Sequence, residues 1–197
     1  MTTEEISRDI YLGGGIGQHQ LTLDRLLEIP DPTSYDWSHI RALQNLSEIA
    51  RIMNCPGIRP EDILDHEGGT HADKHQLIDY EFYDMFIQVK CMKQGFETFT
   101  LPEDHLPRLK DRISNGQKIP EWHVELQFDP DLDQDQLTHI ARIKTRLLVD
   151  ILDCKKKEVT SSGTRANKDD PDKRFWVVDW YRIPEDWFQM IVLDEVR

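Results

Sequence analysis

Asp65-His66-Glu67-Gly68-Gly69-Thr70-His71-Ala72-Asp73-Lys74-His75 gathers three of the chain's eight histidines within ten positions, mixed with three acids. Imidazole and carboxylate are the side chains that hold divalent metals and move protons. His71 and His75 are four apart, so on a helix both rings project from one face, the geometry of His-x-x-x-His metal pairs. Asp79 extends that row by another turn, and His66, across the glycine pair, supplies a further ligand. The expected set is therefore His66, His71, His75 and Asp79 around zinc or manganese. Glu67 or Asp73 is the expected general base or ligand-orienting partner, and a metal-bound water would make the reaction hydrolytic. The stretch departs from His-Glu-x-x-His, because Ala72 and Asp73 follow His71.

The same residues support a reading without metal. Gly68-Gly69-Thr70 opens the expected helix, and free N–H groups there would hold a carboxylate or phosphate, with His66 and His71 as partners. The Thr70 hydroxyl competes by capping its own helix. Two other patterns are weaker. Gly13-x-Gly15 is followed by Gly17 with no strand-helix-strand unit behind it, which fits a loop better than a nucleotide site. Asp129, Asp131, Asp133 and Asp135 alternate, but a calcium loop needs Gly at its sixth position and Glu at its twelfth, where this chain has Gln134 and Ile140. There is no Gly-x-Ser-x-Gly. Cys55, Cys91 and Cys154 have no evident histidine partner and read as reduced, mostly buried thiols.

Residues 1–35 form an N-terminal segment with few placing signals: a short strand at 9–12, glycines at 13–17, then leucines that start a helix ended by Pro30 and Pro32. Ile40, Leu43, Leu46, Ile49 and Met53 predict one helix over 37–54. Pro60 suits a short helix before Gly68. Ile78, Phe82, Met85, Val89 and Met92 step by four and three, which predicts a long helix from Thr70 to about Gln94 with His71 and His75 on its apolar stripe. Residues 96–101 read as a strand and 102–114 as a short helix. Trp122, Val124, Leu126 and Phe128 alternate with His123, Glu125 and Gln127, the pattern of a half-buried strand with the polar set facing water. Residues 137–152 read as a helix, 155–173 as a mobile charged loop, and 175–183 with 188–196 as two strands joined in a hairpin at Pro184.

These elements predict a single α+β domain over 1–197, three to four helices packed on an antiparallel sheet of three to five strands. The formal charge is −13, with 37 acids against 24 Lys and Arg, a field that repels a phosphate backbone. That charge argues against generic nucleic-acid binding. The segment 1–9 has no apolar signal region, and no run approaches the ~20 apolar residues of a membrane span, so a soluble, cytoplasmic protein of bacterial type is expected. Acidity also selects a partner with a basic surface. Trp176, Trp180, Tyr181, Trp187 and Phe188 read as core plus strand face; an exposed face among them, beside Asp179, Glu185 and Asp186, would be the contact surface of a non-catalytic, inhibitor-like interaction module. Two functions stand side by side: a metal- or anion-binding, hydrolytic site at residues 66–79, and that acidic module.

Overall fold

The computed structural model describes residues 16–55, 57–59, 62–66, 77–93, 97–129, 136–156, 163–166 and 172–193. Five helices and nine strands in two sheets lie among them, mixed α and β.

Helix α1 (Ile16–Leu27) is followed by α2 (Ser34–Gln44) and α3 (Leu46–Ile52). Thr33 starts α2 with a capping box: its hydroxyl accepts from Asp36 N at 3.2 Å, and Asp36 Oδ2 accepts from Thr33 N at 2.8 Å. The single helix expected over 37–54 breaks at Asn45. Its φ of −118° leaves the helical region, and its side-chain Nδ2 donates to Arg41 O at 2.8 Å. Asn54, in the left-handed region at φ 61°, ends α3, and Cys55 N closes the turn onto Ala50 O.

Strands β1 (Ile63–Asp65), β2 (Tyr80–Phe82) and β3 (Met85–Lys93) stand where two helices were expected. Residues 60 and 61, the start of the first, lie outside the described residues, as do 70–76 and 94 of the second. Phe82 pairs with Met85 across a two-residue turn, with Tyr83 and Asp84 at φ 43° and 36°. That double positive φ matches the right-handed twist of the strands it joins.

Strand β4 (Thr98–Pro102) leads to α4 (His105–Ser114), then to β5 (Trp122–Asp129) and β6 (Gln136–Lys144). The helix expected over 137–152 is thus half strand: only Thr145–Leu152 is helical (α5). Ile140 packs in one core and Ile143 in the other, so a strand buried on both faces imitates helical spacing. Within the stretch expected as a mobile loop, Gly163–Ala166 is strand β7. Strands β8 (Arg174–Asp179) and β9 (Phe188–Val192) do not form the expected hairpin. Two 3-10 turns, Trp180–Arg182 and Glu185–Trp187, carry the chain from one sheet to the other.

The large sheet runs β1-β2-β3-β5-β6-β9, antiparallel except for β3 beside β5; the small one runs β4-β8-β7. One face of the large sheet meets α1 to α3 in a core built on Ile49, Ile52, Tyr80, Phe82, Val124 and Leu126. The other meets the small sheet, α4 and α5 through Phe99, Leu101, Ile143, Leu148 and Trp180. No described helix is long and apolar enough to cross a membrane.

Candidate functional site

Burial of the large sheet on both faces decides the environment of β5. Val124, Leu126 and Phe128 enter the first core as the alternation predicts. His123, Glu125 and Gln127 do not face water; each is 0% exposed. The small sheet covers them, which corrects the half-buried reading. The pattern of alternation was right, and what lay over the polar face was not legible in it.

Register sets Gln88 and Lys90 of β3 beside His123 and Glu125, and Ala141 of β6 beside Glu125 on the other side. From the small sheet, Thr100 donates to Glu125 twice, through its amide at 3.2 Å and its hydroxyl at 2.8 Å. His123 Nε2 is 3.2 Å from Glu125 Oε2, and Gln127 Nε2 donates to Thr98 O at 3.3 Å. Three atoms of this layer, Gln88 Oε1, His123 Nδ1 and Gln127 Oε1, have no protein partner among the described residues. A buried polar atom left unpaired costs roughly 1–3 kcal/mol.

The layer reaches the surface at His105, the first residue of α4. Gln88 Nε2 donates to its Nδ1 at 3.2 Å, which leaves Nε2–H as the ring's outward donor. Asp104, at the N-cap, makes no side-chain cap, and Pro107 has no amide hydrogen, so the first-turn donors are His105 N and Leu106 N. His105 lines a cleft of about 660 Å³, with Pro102, Glu103, Asp104, Asp172, Lys173, Arg174 and Phe175. Burial, then the charges of Lys90, Arg108 and His123, push its pKa down to about 3. The ring is therefore a neutral donor at physiological pH. The cleft lining is mixed in charge, with Glu103, Asp104 and Asp172 beside Lys173 and Arg174, and Arg174 lies 3.7 Å from Glu103.

The structure describes two of the expected ligands. His66 N donates to Asp79 O at 2.8 Å, so the two sit opposite each other where β1 and β2 diverge. Their side chains are engaged elsewhere: His66 Nε2 lies 3.1 Å from Glu81 Oε2, and Asp79 Oδ2 accepts from Val89 N at 2.7 Å and Lys90 Nζ at 3.4 Å. Asp79 stands in extended chain ahead of β2, not one helical turn beyond His75. Glu67, Gly68, Gly69, Thr70, His71, Asp73 and His75 lie outside the described residues, as do Gly13, Gly15, Asp131, Asp133 and Asp135. Among the described residues no three His, Cys, Asp or Glu side chains group as a metal site. Of the C-terminal aromatics, Trp180 is buried, Trp176, Trp187 and Phe188 pack against the second core, and Tyr181 is 75% exposed.

Sequence reading missed His105, Gln88 and His123. For His105 a signal existed: it opens a helix just after a strand, the same argument applied to Thr70. For Gln88 there was none, because its strand was read as a helix. Comparison with protein-family models, curated proteins and solved structures found no match to this chain.

The depressed pKa of His105 gives stability a pH dependence. Between pH 6.5 and about 3 the unfolded chain binds a proton there that the folded chain refuses. The contribution is complete above pH 6.5 and is lost as pH falls through that window, by ~3 kcal/mol after discounting for part exposure. Urea denaturation at several pH values should show wild type losing this increment and His105→Gln losing less. NMR should show the His105 ring still neutral at about pH 4.

Proposed function

We propose that the chain binds a small molecule through a carboxylate or phosphate group at the inner end of the His105 cleft. One observation carries the reading: a neutral imidazole, held by buried Gln88, stands at the first turn of a helix whose N-cap side chain leaves the amides uncapped. An anion there meets the His105 and Leu106 amides, the Nε2–H donor and the positive end of the helix. Lys173 and Arg174 on the rim add attraction at longer range. The cleft volume falls within the ~300–1,000 Å³ of small-molecule sites. Binding, not turnover, is assigned to this cleft.

Inorganic phosphate and acetate, titrated separately into isotope-labelled protein, test the reading and separate the two anion types. The expected result is saturable amide shifts at His105 and Leu106, weakened about tenfold in His105→Ala. Shifts scattered over surface lysines, or equal affinity in the variant, would contradict it.

The metal reading of His66, His71, His75 and Asp79, with Glu67 or Asp73 as base, stands as a second proposal. It is favoured by the backbone pairing that starts His66 and Asp79 from opposed positions. Its test is the metal content of untagged protein beside a His71→Ala/His75→Ala variant. Near-stoichiometric zinc or manganese, lost in the variant, supports a hydrolytic metal site; metal-free protein that keeps its stability in chelator refutes it.

A further inference from the structure

Strand β9 ends the large sheet, and no described residue pairs with its outer side. Its sequence, Phe188-Gln189-Met190-Ile191-Val192, has no charge and no proline. Sheet edges are normally guarded by such residues, because their free N–H and C=O groups template pairing with another strand. Among the other described edges, β1 has only three residues and includes Asp65, β7 has four and includes Arg165, and β4 is uncharged but ends at Pro102 and gives its Thr100 amide to Glu125.

Leu193 N donates to Thr138 O, which fixes the phase of the β6–β9 ladder. By alternation, the backbone groups of Phe188, Met190 and Val192 face outward. Met190 and Val192 also expose 41% and 56% of their surface on one face. Gln189 is tied inward, accepting from Arg142 Nε at 3.1 Å, so the strand is held in place for a partner.

Charge selects the occupant. Exposed Glu185 and Asp186 stand at the foot of β9. Glu97 lies beside His139, which pairs with Val192 at the far end. A second copy would bring another chain of charge −13 and the same acids against these. An incoming strand with Lys or Arg meets these acids at either end instead; the cations nearby are already engaged, Lys156 over the Trp187 ring and Arg142 on Gln189. We infer that β9 is a docking edge for an extended basic segment of a partner protein, which adds to the sheet as a seventh strand. This rests on the sheet edge alone and is independent of the His105 cleft.

The test uses a labelled peptide of alternating Lys and Val, the matching Glu and Val peptide, and full-length protein. Met190→Pro removes one outward N–H while leaving inward ladder bonds untouched, as edge strands allow. Val192→Lys guards the edge by charge and serves as the second variant should Met190→Pro misfold. Binding of the basic peptide with amide shifts at Phe188, Met190 and Val192, weakening with salt and falling about tenfold in a folded variant, supports the proposal. Equal binding of the acidic peptide, absence of binding, indifference to both variants, or sedimentation of wild type as a dimer that Val192→Lys dissociates would overturn it.

Discussion

Glu125 sits at the middle of the large sheet with no exposure to solvent, and a carboxyl group there must find its hydrogen bonds within the protein. Burying a polar group unpaired costs several kcal/mol, more if it carries charge. Thr100 answers that demand from the small sheet with its amide and hydroxyl, and His123 answers it from β5 itself. Because Thr100 belongs to β4, the bond also ties one sheet over the other, beside the Gln127–Thr98 bond that joins the same two strands. The aromatic contacts around it reinforce that placement, with Phe99 packed against His123, Trp180 and Phe188 at centroid distances of 6.1, 5.6 and 5.9 Å.

The rest of the molecule follows from that layer. With one face given to apolar helices and the other to a second sheet, β5 and β6 are enclosed, and the polar row can reach water only at the margin. His105 is that margin. Gln88 connects it to the interior, and the cations near it oppose protonation.

How much of this was readable follows from which faces were buried. The helix at His105–Ser114 and the strands at Thr98–Pro102 and Trp122–Asp129 were legible, because an amphipathic element declares its period. The hairpin of β2 and β3 was not, because Ile78, Phe82, Met85, Val89 and Met92 happen to fall at helical steps while Ile87, Val89 and Cys91 alternate on the strand. Its turn, Tyr83-Asp84, lacks the glycine or asparagine that would mark it. Residues 137–152 failed for a related reason: Ile140 and Ile143 serve opposite cores. Of the expected site, His66 and Asp79 proved adjacent through the backbone. His123 and Glu125 were seen as residues but assigned to solvent, since a local pattern cannot show that a distant segment, Thr98 to Thr100, will cover them.

The Thr100–Glu125 contact couples the two sheets. A double-mutant cycle of Thr100→Val and Glu125→Gln, followed by urea denaturation at neutral pH, tests it most directly. The contact predicts a coupling energy of about 1–3 kcal/mol, with the double variant less destabilised than the two single losses added together. Additivity within ~0.5 kcal/mol would contradict it and leave the buried layer without its organising bond.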